Sequence, residues 1–297
     1  MLWPMLVGRV VVMQLIKALL PIFVLILNAC SSIPSSQETI LVAPAEVNYK
    51  VELTLAKLNE YLASGKLSQA ERVRFLYDRG VLYDSVGLKT LARIDFHHAL
   101  KLQPNFVDAY NFLGIYYTQD QAFGRAFEAF DTVLELQPTY QYVYLNRGLA
   151  SYYNDRFDLA VKDFNHFYEL NPKDGYRILW LYIVAAATDE VLARQQLIRQ
   201  RALLDDAHWD AQLIDLVLGK IDYQQLFVVS SIQLTYRNEM AERMCEVYFY
   251  AGKVAQIQGD HYRAMDYFKL ALSTNVHDFV EHRYARLELQ KSLSALR

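Results

Sequence analysis

The chain reads as an all-α solenoid, a stack of antiparallel helix pairs, on two observations. Residues recur at a period of 34: Gly80, Gly114 and Gly148; Ala92, Ala126 and Ala160; Phe96, Phe130 and Phe164; Pro104, Pro138 and Pro172. The apolar residues between these markers follow the helical period. A fixed period in the range of about 20–50 residues marks a protein built from stacked units that share one continuous core.

These offsets match the tetratricopeptide repeat, so residues 73–172 are predicted to be three tandem units. In the first, helix A covers about 73–86 and helix B about 88–102. Gly80 and Ala92 sit where the two axes cross, and small side chains there allow close approach. Phe96, four residues after Ala92, lies on the same face of helix B and fills the space beneath. Pro104 ends helix B because proline cannot extend the hydrogen-bond ladder.

Residues 1–29 read as a signal segment. An apolar stretch over 18–27 follows Lys17, and Leu27-Asn28-Ala29-Cys30 resembles a bacterial lipobox, with Cys30 as the lipidated residue after cleavage. Ala18–Ala29 is too short to span a bilayer, which takes about 20 residues. Met13 is an alternative start, giving a compact positively charged lead into the apolar stretch. Ser31, in place of aspartate, resembles the sorting pattern for the outer membrane. Residues 30–45, rich in Ser and Pro, are then a flexible lipidated tether.

Residues 46–72 carry an N-terminal helix in which Val51, Leu55, Leu58 and Leu62 form a heptad-like seam. It either caps the first repeat or packs on a second copy; the open edge of a repeat stack favours the cap. After the third unit, 173–244 keeps a helical period while the repeat signature fades. Trp180 and Leu181 suggest a degenerate helix A, and further helices are predicted near 192–204, 209–218 and 223–229. A fourth unit, 245–278, keeps the offsets at Tyr248, Gly252, Ala264, Phe268 and Ala271, with Val276 in place of proline. Residues 279–297 supply a capping helix and tail. Cys245 opens helix A of this unit as a small buried packing residue.

Composition bounds the function. The 297 residues are 53% hydrophobic and 21% charged with net charge −3, and no dense Lys/Arg run points to nucleic acid. Tyrosine (22) and phenylalanine (15) exceed what the repeat positions need, and surplus tyrosine favours binding surfaces. No HExxH, CxxC, GxSxG or Walker pattern occurs, so neither catalytic nor metal-binding residues nor a cofactor is expected. His277 and His282, five apart, do not share a helical face, and His282 is assigned a hydrogen bond at the capping helix.

A partner groove is expected on the A helices, lined by Tyr77, Val81, Asn111, Ile115, Leu145, Leu149 and Tyr152. The lining is apolar and aromatic, suited to an extended or helical segment. Either the groove is open or the chain's own middle section covers part of it.

YDRGVLYDSVGL (77–88), FLGIYYTQ (112–119), EAFDTVLELQPTY (128–140), LNRG (145–148) and NVHDFVEHRYA (275–285) resemble the NlpI family of outer-membrane lipoproteins. The resemblance implies a homodimeric, lipid-anchored adaptor at the periplasmic face of the outer membrane. It implies binding to a C-terminal processing protease of the Prc type and to a murein endopeptidase of the MepS type, with other murein hydrolases, in cell-wall growth and division. The competing expectation is a tetratricopeptide lipoprotein that assembles type IV pili or outer-membrane proteins. A third, a murein hydrolase, lacks a catalytic motif.

Overall fold

Capping chemistry sets where several helices begin. Ser68 accepts from the Glu71 amide while the Glu71 carboxylate accepts from the Ser68 amide, and Asp222 and Gln225 repeat this reciprocal box. Asn48, Asp174, Asp189 and Asp260 cap in the simpler one-way manner. The computed structural model describes residues 40–232 and 234–297, of which 42–297 form one body. Cys30, the signal segment and the tether up to residue 39 lie outside the described residues.

The N-terminal helix is α1 (Tyr49–Ala63). Three pairs follow: α2 (Gln69–Ser85) with α3 (Lys89–Leu102), α4 (Val107–Gln119) with α5 (Phe123–Leu136), and α6 (Tyr142–Tyr153) with α7 (Phe157–Glu169). The middle section holds α8 (Gly175–Ala186), α9 (Glu190–Arg201), α10 (Trp209–Val217) and α11 (Tyr223–Ser230). The last pair is α12 (Glu239–Ile257) with α13 (His261–Ser273), and α14 (Val280–Ala295) closes the chain. The described residues form an all-α tetratricopeptide-repeat solenoid with no strand.

Each repeat is locked by one glycine against one phenylalanine. A Cβ on Gly80 would lie 2.7 Å from Phe96, on Gly148 2.8 Å from Phe164, and on Gly252 2.7 Å from Phe268; Gly114 against Phe130 is tighter still. All four rings are fully buried, so they have nowhere to retreat. Gly114→Ala should therefore destabilise the chain by about 1–3 kcal/mol through overpacking. Urea unfolding checks this, and an unchanged midpoint would mean that Phe130 can move. Units one and three add a fork between helices A and B: Arg79 holds both oxygens of Asp95 at 2.7 Å, and Arg147 those of Asp163 at 2.9 and 2.8 Å.

The turn inside each pair has a left-handed residue at the equivalent place: Gly87 (φ 79), Gln121 (φ 58), Asp155 (φ 54) and Gly259 (φ 81). Three of these stand 34 apart, a periodic feature that residue identity hides. Gly87 has a second reason to lack a side chain, since a Cβ there would meet the His277 ring at 2.8 Å.

Two boundaries differ from expectation. Helix α12 starts at Glu239, so Cys245 lies well inside it instead of opening it. The thiol is fully buried, 3.8 Å from the Ala271 carbonyl, and burial pushes its pKa well up. The capping helix, expected to end near residue 289, runs on to Ala295.

The first and last units meet. The Ala45 amide donates to the Thr274 carbonyl at 2.8 Å, and Ala45 packs with Ala241, Cys245, Val276 and Phe279. Val276 thus stands where proline would be because that position is a contact for the N-terminal segment. Asp84 at the end of α2 accepts from Tyr116 at 2.7 Å and from Arg283 of α14.

The seam Val51, Leu55, Leu58 and Leu62 faces the chain itself. Leu58 is buried, the other three are half-buried, and Leu62 packs on Val73, Leu76 and Ala99. In this chain the seam covers the edge of the first repeat.

Candidate functional site

The A helices α2, α4 and α6 turn their inner face toward the C-terminal helices. Tyr153 at the end of α6 stacks on Tyr284 of α14, with centroids 5.1 Å apart and planes 9° from parallel. Its hydroxyl donates to Glu288 at 3.0 Å. Lys253 of α12 donates to the Tyr152 hydroxyl and to Glu288, both at 2.9 Å, and to Gln256 at 2.7 Å. Gln256 in turn donates to Ser292 at 3.0 Å. Tyr152 also carries Lys291 over its ring, 4.6 Å from the centroid.

This packing corrects the expected groove. Asn111, Ile115, Leu145, Leu149 and Tyr152 are buried, Leu149 completely. Asn111 accepts from Asn146 at 2.8 Å, and Ile115 belongs to the core of the second repeat. Tyr77 and Val81 are half-buried against that core, with Tyr77 among Phe96, Phe106 and Phe112 at 5.8, 5.1 and 6.1 Å. Burial and the nearby Asp108 push the Tyr77 hydroxyl up to about 12, so it stays a neutral donor. None of the seven presents a free apolar lining. Groups from α12 and α14 reach the inner face. Leu149→Glu would accordingly place a charge in the core and could not serve as a binding probe.

What stays open is a cavity of about 520 Å3 beside the C-terminal half of α14. Phe123, Tyr153 and Leu287 supply apolar walls; Gln121, Asp155, Gln290, Lys291 and Arg297 supply polar ones. Gln121 and Asp155 reach it because the left-handed turns after α4 and α6 point at the same place, one repeat apart. Burial and Glu288 hold the Tyr153 hydroxyl protonated. Its chemistry is that of a binding cleft: donors, acceptors and two cations around an aromatic floor. The sequence reading missed these residues. The turn residues carried a signal in their 34-residue spacing; Lys291 and Leu287 carried none, because α14 has no counterpart in the repeat.

His277 and His282 come together despite their spacing, with ring centroids 4.7 Å apart. The loop before α14 folds His277 over the helix start. The Nε2 of His282 lies 3.1 Å from the Leu272 carbonyl, and burial pushes its pKa down to about 4, so the ring is neutral. Among the described residues no three His, Cys, Asp or Glu side chains are grouped to hold a metal. Among them, too, no helix is long and apolar enough to cross a membrane.

No family model matches the chain. Among solved structures it is similar to a tetratricopeptide repeat protein from Parabacteroides merdae, with 18% identity, 82% of this chain and 78% of that one covered, and a TM-score of 0.46. It is also similar to PilF of Pseudomonas aeruginosa, with 18% identity, 74% and 99% covered, and a TM-score of 0.44. For yeast Tom70 the values are 14% identity, 84% and 59% covered, and a TM-score of 0.42.

Proposed function

We propose that this repeat scaffold, with an open cleft beside α14 and part of its inner face closed by its own C-terminal helices, acts as a non-catalytic, lipid-anchored adaptor at the periplasmic face of the outer membrane. The observation that carries this reading is the cleft beside α14, which offers aromatic and charged contacts on a rigid frame without a grouped set of reactive side chains. The lipobox ending at Cys30 supports the anchor, and the resemblance to the NlpI family supports the partners. These are a processing protease of the Prc type and a murein endopeptidase of the MepS type, with other murein hydrolases. Homodimerisation belongs to the same reading. With the α1 seam turned inward, a second copy would use the outer face of that helix or another surface.

Such an adaptor works by effective concentration. Two proteins held on one scaffold meet at about millimolar local concentration without any added catalytic group. The test is capture of partners from a periplasmic extract on the full anchored chain, identified by mass spectrometry. Recovery of a processing protease together with a cell-wall endopeptidase is the expected result. Recovery of pilus or barrel-assembly components, with neither of those, would overturn the partner assignment and favour the assembly-factor reading.

A further inference from the structure

Two segments far apart in sequence are pinned side by side where the chain enters the body. Asn238 and Glu46 exchange hydrogen bonds: the Glu46 amide donates to Asn238 Oδ1 at 3.1 Å, and Asn238 Nδ2 donates to the Glu46 carbonyl at 2.9 Å. Arg237 adds an ion pair to the Glu46 carboxylate at 2.5 Å. These bonds set residues 45–49 against the connection between α11 and α12.

Both segments expose apolar side chains. Val47, Tyr49 and Leu53 are 52%, 65% and 54% exposed, and Ile232, Leu234 and Tyr236 are 56%, 43% and 53% exposed. Tyr49 and Leu53, four apart, share the face of α1 opposite the inward seam. Single exposed apolar residues are ordinary, whereas a group of six on two adjoining segments marks an interaction face.

The place where the chain enters says what that face meets. Cys30 stands twelve residues before Val42, a covalent reach of at most about 40 Å. An anchor there keeps the entry point within that distance of the bilayer. A weak contact with the lipid surface is then made at high effective concentration. Tyrosine is enriched at membrane–water interfaces, where its ring and hydroxyl satisfy the apolar and wet sides together.

We propose that Val47, Tyr49, Leu53, Ile232, Leu234 and Tyr236 form the membrane-facing surface of the protein, lying against the phospholipid headgroup layer. This rests on the lipid-anchor reading of Cys30. It orients the body with the crossing of residues 45–49 and 234–238 toward the bilayer. Tyr262, at the start of α13, lies about 18 Å along that helix from Thr274, where Ala45 is bound, and gives a comparison position remote from the crossing.

The test places a tryptophan at two positions of the face and at one remote from it. The full chain carrying Y49W, Y236W or Y262W is purified from membranes and reconstituted into phosphatidylethanolamine–phosphatidylglycerol vesicles, with and without brominated acyl chains. With the parent chain's own tryptophan emission subtracted, the signal added by Y49W and Y236W should shift to the blue and be quenched by brominated lipid several-fold more than that added by Y262W. Equal quenching at the three positions would overturn the proposal. So would a blue shift that needs no vesicles and grows with protein concentration, which would make the face a contact between two copies. The mass of the N-terminal peptide reports acylation of Cys30 separately. An unacylated chain added to the same vesicles gives the same comparison, so failure of the anchor and failure of the face are distinguishable.

Discussion

Lys253→Met is expected to cost the fold about 3–5 kcal/mol, because it strands a carboxylate in a closed interior. Lys253 and Glu288 form an ion pair at 2.9 Å, with side chains only 3% and 0% exposed. Glu288 receives Tyr153 and Lys253 on one oxygen, and its other oxygen has no hydrogen-bond partner. Losing the ammonium leaves one hydroxyl to satisfy an ionised group that water cannot reach. Methionine matches the length of the stem, so the loss is electrostatic more than steric. The double change Lys253→Met with Glu288→Leu removes both charges and should recover much of the difference, since a buried pair is often replaceable by packed apolar groups. Urea unfolding of the three proteins forms the comparison. A single variant within about 0.5 kcal/mol of the parent, the spread of ordinary surface changes, would show that α14 is not held by this pair. Hydrogen exchange would locate the effect: α14 should lose protection before the repeats do.

Glu246→Gln is expected to stabilise the protein above neutral pH and to flatten its pH profile. Glu246 of α12 and Glu281 of α14 are both buried, and each is pushed up, first by burial and, for Glu246, next by the charge on Glu281. Glu246 rises to about 8. The groups facing the two carboxylates come from three helices, α8, α10 and α12. Trp209 of α10 donates to Glu246 at 2.5 Å, and Tyr176 of α8 bonds it as well. Tyr250 of α12 donates to Glu281 at 2.7 Å, and Trp180 of α8 bonds it. Glu242, Asp210 and Cys245 are the remaining titratable neighbours.

A carboxyl held protonated in the native state binds more protons there than in the unfolded chain. Stability is then full below the unfolded pKa near 4.5 and falls as pH rises toward about 8. Neutral glutamine cannot ionise, so the variant should keep at pH 8 a stability that the parent loses, a difference on the order of a few kcal/mol. Thermal unfolding from pH 5 to 9 checks it. Parallel pH profiles for the two proteins would show that the pair is ionised and compensated in the parent.

How far residues alone predict this molecule depends on whether the relevant contact is local. The glycine–phenylalanine lock joins residues 16 apart inside one helix pair, so its offsets recur visibly in the sequence. The surplus of tyrosine is used across the fold: Tyr116 bonds Asp84 of the preceding repeat, while Tyr152 and Tyr153 bond Lys253 and Glu288 far along the chain. The groove assignment went wrong for a non-local reason. Residues such as Leu149 and Tyr152 have the spacing of a lining whether or not something lies across them. What covers Tyr152 is a lysine about 100 residues away and Lys291 of the helix at the far end of the chain. Cys245 shows the same limit at smaller scale. The repeat signature begins at Tyr248, yet α12 starts at Glu239, since its first turns are held by Thr235 and by contact with the N-terminal segment.

The period of 34, the helix pairs and their glycine seats are written in the chain, because each depends on neighbours within one unit and local spacing encodes them directly. The resemblance of Leu27-Asn28-Ala29-Cys30 to a lipobox is likewise read from consecutive residues and stays an expectation of the sequence. Closure of the first repeat on the last, burial of the inner face by α14 and the cleft left beside it depend on the rotation accumulated from one unit to the next. They depend also on pairings such as Asp84 with Arg283, and no periodicity along the chain announces which distant side chains that rotation will bring together.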